Sequence, residues 1–149
     1  LPGTIWKTGL PKLAPELGHN ANFMRSCHAD EAELTTGLGL PVGSAAGHAE
    51  SILLLLSSQT APIALAFEIW IPGVLADNST EFHRIAADWS AVVGDGTHPP
   101  VESHETLLSA WTTGRPEFST EFDSPSLRAM LAIPVYRSTE RVAVVLFLF

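Results

Sequence analysis

"PIALAFEIWIPG", Pro62 to Gly73, decides how this chain is read. Ile63, Leu65, Phe67, Ile69 and Ile71 fall at every second position, the period of a strand with one buried face. The other face carries Ala64, Ala66, Glu68 and Trp70, which are small or mixed in character. "GLGLPVG" at 37–43 divides in the same way, with Leu38, Leu40 and Val42 opposite glycines and Pro41. So does "AMLAIPVY" at 129–136, where Leu131, Ile133 and Val135 oppose Met130, Ala132, Pro134 and Tyr136. The runs at 51–57 and 142–149 are apolar on both faces, as central strands covered on both sides are. A weaker run from Glu81 is expected to pair back onto 62–72 across "GVLADNST".

These runs predict an α+β fold with about six strands in one largely antiparallel sheet and few helices. One helix is expected over 20–35, with Phe23, Cys27 and Leu34 on one side; Asp30, Glu31 and Glu33 late in it oppose the helix dipole. A second is expected over 103–113, with Ser103 as N-cap and Leu107, Leu108 and Trp111 apolar. The small-residue face around Gly39, Ala64, Ala66 and Ala132 leaves room for a helix lid or a bound small molecule. The aliphatic face also needs a cover, which flanking helices or a second subunit would supply.

"IWKTGLP" (5–11) and "AWTTGRP" (110–116) write the same motif twice. Gly114 can close a helix in the left-handed conformation, and Pro116 prevents its continuation. Trp111 is placed to pin the last turn to the sheet, and Trp6, Gly9 and Pro11 supply the same devices at the start. The motif therefore reads as a structural joint. The likeness extends to Leu-x-Leu/Ile-Pro-Val at 38–42 and 131–135 and to the apolar strand after each, with a longer insert in the first copy. We read this as an internal duplication of helix, joint, strand and strand.

The 149 residues suit one domain, read as 1–149. Charged residues make up 16% of the chain and the net charge is −8. The eight Lys and Arg are scattered without a basic stripe, which argues against nucleic acid and anionic membrane as partners. Cys27 is the single cysteine, so no internal disulfide or multi-thiolate metal site can form. That suits a reducing, cytoplasmic setting. The apolar runs are too short to span a bilayer as helices. A start at Leu1 and an end inside a strand-like run suggest a piece of a longer protein.

With the joint and strands in hand, the chain resembles a GAF domain, a small-molecule sensor module. "LPGTIWKTGLPKLAPEL" and "FMRSCHADEAELTTGLGLPV" are similar to the family's middle segment, "IALAFEIWIPG" to its first strand, and "LLSAWTTGRP", "LRAMLAIPV" and "RVAVVLFLF" to its second half. The order departs from the family: a half repeat (1–58) precedes a nearly complete core (62–149), and the two are expected to share one sheet. The resemblance implies a GAF/PAS-like fold and a non-enzymatic sensory domain of a signalling or transcription-control protein. Such a domain binds a small molecule over the sheet and acts on flanking domains; the low charge and the uncovered aliphatic face add the expectation of a homodimer. The identity of any cofactor is unknown. The alternative is a degenerate module that has lost its pocket and acts only in dimerisation.

Glu68 and Trp70 are the candidate ligand contacts, as a buried carboxylate and an apolar wall on the small-residue face. The plain alternative has Glu68 paired with an arginine such as Arg84. "RSCH" (25–28) raises a second candidate, because bilin-binding relatives in this family attach a tetrapyrrole to a cysteine followed by histidine. Cys27 and His28 would fill those roles, although the downstream aromatic is replaced by Ala-Asp-Glu-Ala. His19, Cys27 and His28, and likewise His98, Glu102 and His104, lack the spacing of a metal site. No catalytic motif is present, so no enzyme is expected.

Overall fold

In the computed structural model the alternating strands form two sheets. The structure describes residues 1–20, 23–43, 49–74, 80–92, 104–121 and 127–149. The elements in order are α1 (Pro2–Thr8), β1 (Lys12–Ala14), a 3-10 turn (Leu17–His19), α2 (Ser26–Glu31), β2 (Leu34–Gly43), β3 (Ala49–Ser58), β4 (Ala66–Val74), β5 (Thr80–Asp88), α3 (His104–Thr113), β6 (Glu117–Ser119), β7 (Met130–Arg137) and β8 (Glu140–Leu148). β1-β2-β3 make a three-stranded sheet and β5-β4-β8-β7-β6 a five-stranded one, with every pairing antiparallel.

Two sheets replace the single six-stranded sheet expected from sequence, for a reason of burial. Leu13, Leu38 and Leu40 of the small sheet lie in one buried cluster with Phe67, Ile69, Val135, Ala143, Val145 and Phe147 of the large one. Phe67 and Phe147 meet edge to face, ring centres 5.4 Å apart. The aliphatic face is thus covered by the first half of the same chain, stacked face to face. Neither flanking helices nor a second subunit is needed there. Thr36 on β2 donates a hydrogen bond to Asp88 at the end of β5, and this buried pair ties the two sheets together.

The other face of the large sheet is filled. Ala66, Ala132, Val144, Leu146 and Leu148 pack with Leu107 and Ala110 of α3, with Trp89 and with Leu127.

The two halves correspond strand by strand. Lys12, Leu13 and Ala14 pair with Gly39, Leu38 and Gly37; Glu117, Phe118 and Ser119 pair with Ala132, Leu131 and Met130 in the same register. Gly39 opposes Leu54 as Ala132 opposes Leu146, and Pro41 opposes Ile52 as Pro134 opposes Val144. Each half is a helix, a left-handed glycine, a three-residue strand and a long hairpin. Gly9 has φ 67° and Gly114 φ 70°, and their N–H groups bond to the carbonyls of Ile5 and Ala110. Both joints lie against the β7–β8 hairpin. Arg137 packs on Gly9, while Tyr136 donates to the Gly114 carbonyl at 2.9 Å and Arg141 to that of Thr112 at 3.0 Å.

The tryptophans do not behave alike. Trp111 is half-buried, with Phe82 at its edge and Arg141 5.2 Å over its ring, whereas Trp6 is 56% exposed. Ile5, fully buried, anchors α1 instead.

The helix expected over 20–35 is only α2, and Leu34 already pairs with Ser58. Glu33 turns the chain with a left-handed φ of 53°, and the acidic residues before it cannot extend a helix whose C-terminus they destabilise. The helix expected over 103–113 is α3, and its expected N-cap, Ser103, lies outside the described residues.

Candidate functional site

β3 reads as a central strand and stands at an edge. Its counterpart β8 has β7 on one side and β4 on the other, whereas β3 pairs only with β2 among the described residues. The backbone groups of β3 that point away from β2 therefore have no strand partner there.

Its side chains match that exposure badly. Gly39 sits under Ile5, so its cross-strand partner Leu54 faces α1. Leu53 and Leu55, opposite Leu40 and Leu38, share the other face, and of the two Leu55 packs against the inter-sheet core. Leu53 is nevertheless 47% exposed and Leu56 39%. Edge strands in monomers are normally blunted by lysine, proline or a bulge. From Glu50 to Ser58 this edge carries one charge, Glu50, which stands at a register shift of the β2–β3 pairing, and no lysine or proline; from Ser51 to Ser57 the pairing runs without a bulge.

The sequence of β3 is also self-complementary. About Leu54 it reads Ser51-Ile52-Leu53-Leu54-Leu55-Leu56-Ser57. Antiparallel pairing with a second β3 centred there sets Ser51 opposite Ser57, Ile52 opposite Leu56 and Leu53 opposite Leu55. Every opposed pair is then alike in polarity, and Glu50 faces Ser58 rather than another Glu50. A two-fold interface requires this self-matching.

Glu68, fully buried on β4, accepts three side-chain hydrogen bonds: from Arg84 at 2.6 Å, from the Trp70 indole at 2.8 Å and from the Trp89 indole at 3.2 Å. The structure brings Glu68 and Trp70 together as expected, but as partners of each other. Arg84 was legible as a candidate partner; Trp89 was not, because nothing in its surroundings marks it as a donor to β4. Gly39 lies in the other sheet, Ala64 packs between the sheets, and Ala66 and Ala132 are fully buried under α3. The expected room on the small-residue face is taken up by the chain's own side chains.

Cys27 and His28 lie on α2, both exposed, with the thiol sulfur 3.4 Å from the imidazole Nδ1. They lie on a different element from Glu68 and Trp70. Among the described residues no group of three His, Cys, Asp or Glu side chains converges as a metal site would require. His98 and Glu102 fall outside the described residues, as does the side chain of His104. No described helix is long and apolar enough to cross a membrane.

No family model, curated protein or solved structure matches the chain.

Proposed function

We propose that this chain is a non-enzymatic, GAF-like assembly module that joins a second copy of itself through β3. One observation carries the reading: a strand with the composition of a sheet centre has one long edge without a strand partner among the described residues, while its duplicate β8 is paired on both edges. Pairing two copies about Leu54 satisfies backbone groups on both edges and buries leucines that are now half-exposed. Each such leucine contributes on the order of 1 kcal/mol toward the cost of association. The filled face over Ala66 and Ala132 favours assembly over capture of a ligand between sheet and α3.

Sedimentation velocity tests this reading. The wild type is expected to dimerise below about 100 μM. Leu53→Lys places a charge on the edge in the way monomeric proteins do, and is expected to give a monomer that still melts cooperatively, at a temperature no longer dependent on protein concentration. A wild type that stays monomeric at that concentration, or a Leu53→Lys variant that still dimerises, contradicts the proposal.

A further inference from the structure

The free edge of β3 is one lip of a larger opening. β1 lies against β4 and β5, and β2 against β7. The small sheet therefore steps across the large one in the direction from β5 to β6, and β3 comes over the β6 side. Leu38, Leu40 and Leu55 of the small sheet and Leu131 of the large one share the core between the sheets, which fixes the inward faces. Leu53 opposes Leu40 and so points inward from β3; Phe118 opposes Leu131 and so points inward from β6. Both are exposed nonetheless, Leu53 at 47% and Phe118 at 63%. The first half shows the same position covered: Leu13, the counterpart of Phe118, is 7% exposed in the inter-sheet core. Among the described residues β6 pairs only with β7, so the sandwich is open on this side, with an apolar side chain on each lip.

What closes the opening follows from the β3 pairing proposed above, on which this inference rests. An antiparallel pair within one sheet keeps the same face inward on both strands, so the two-fold axis stands perpendicular to the sheet. Both large sheets then lie on the same side of the joined small sheets, β6 edge towards β6 edge. Leu53 and Leu55 of the two copies form a roof over the seam, and the two Phe118 rings lie beneath it. Size also calls for this second layer. A strand edge from Ser51 to Ser57 is about 24 Å long and about 10 Å across, on the order of 250 Å². Stable interfaces bury roughly 800 Å² per partner. An exposed phenylalanine adds on the order of 100 Å² of apolar area from each copy.

We infer that Phe118 is a second anchor of the interface between two copies of this chain, buried at the seam beneath Leu53 and Leu55. Sedimentation velocity of Phe118→Ser tests it. The control is Ile85→Ser, which removes another exposed apolar side chain, on β5 at the far edge of the same sheet. Phe118→Ser is expected to melt cooperatively and to weaken dimerisation at least about tenfold, since the ring meets its apolar surroundings only in the dimer. Ile85→Ser should dimerise as the wild type does. A wild type that stays monomeric removes this inference together with the pairing on which it rests. A wild-type dimer that Leu53→Lys dissociates and Phe118→Ser leaves intact overturns this inference alone. Equal weakening by the two serine variants also overturns it, because the effect would then not belong to the seam.

Discussion

The δ-methyl of Ile5 occupies the space where a side chain on Gly39 would begin. At the equivalent point of the second half stand Ala110 and Ala132, both fully buried in one cluster. Large against none and small against small are two solutions to the same helix-on-strand contact. Gly39→Ala alone is expected to cost about 1–3 kcal/mol by overpacking. Ile5→Ala alone should cost about 2–5 kcal/mol through the cavity it leaves. Together they recreate the pair of the second half and should cost less than the sum, with a coupling of about 1 kcal/mol or more in urea denaturation. Strict additivity would mean the two residues do not share the contact.

Glu68 and Arg84 should respond asymmetrically. The Arg84 side chain is 39% exposed, so it regains water when its partner is neutralised; the Glu68 side chain has no exposure at all. Arg84→Met leaves a buried charge without its cation and is expected to cost about 3–5 kcal/mol. Glu68→Gln keeps an acceptor for the indoles and should cost about 1–3 kcal/mol. Thermal melts of the two variants give the order directly, and the reverse order would show that the indoles outweigh the guanidinium.

The two joints share a conformation but not their surroundings. A Cβ on Gly9 would meet the Arg137 side chain at 2.8 Å, the flexible stem of an exposed residue. A Cβ on Gly114 would meet the Tyr136 hydroxyl, which the Gly114 carbonyl holds in place. Both alanine variants incur about 1 kcal/mol for the left-handed backbone. Gly114→Ala should cost at least about 1 kcal/mol more, through loss of the tyrosine hydrogen bond. Equal melting temperatures would contradict this.

Glu33 takes a left-handed φ of 53° where helices usually close on glycine. Glu33→Gly also removes an acidic group beyond the C-terminus of α2. The variant is expected to be about 0.5–1 kcal/mol more stable, read as a shift of the urea midpoint without a change of slope.

The strands were legible because period-two burial is written locally. Ile63 to Ile71 and Leu131 to Val135 announce their inner face whatever covers it. The correspondence of the two halves was legible for the same reason, since joints and Leu-x-Leu/Ile-Pro-Val are short contiguous signals. The division into two sheets was not. Leu38 and Leu131 carry the same pattern, and only the stacking of one half on the other distinguishes sharing a sheet from facing one. β1 and β6 are three residues each, too short for any period to register. The Glu68 cluster was half legible: alternation placed Glu68 and Trp70 on one face, while Trp89 joins them only through the β4–β5 pairing. The edge position of β3 was masked by its own composition, since Ile52 to Leu56 reads as interior.

Disulfide trapping across the proposed two-fold tests the central claim most directly. In a Cys27→Ser background, Leu54→Cys puts one thiol on each copy at the axis of the β3–β3 pair. Opposed residues there have Cα atoms about 5 Å apart, within disulfide reach. Ile52→Cys places the two thiols four strand positions apart, about 13 Å, beyond reach. The account predicts a covalent dimer from Leu54→Cys under mild oxidation and none from Ile52→Cys. Trapping at neither position, or at both alike, would contradict it.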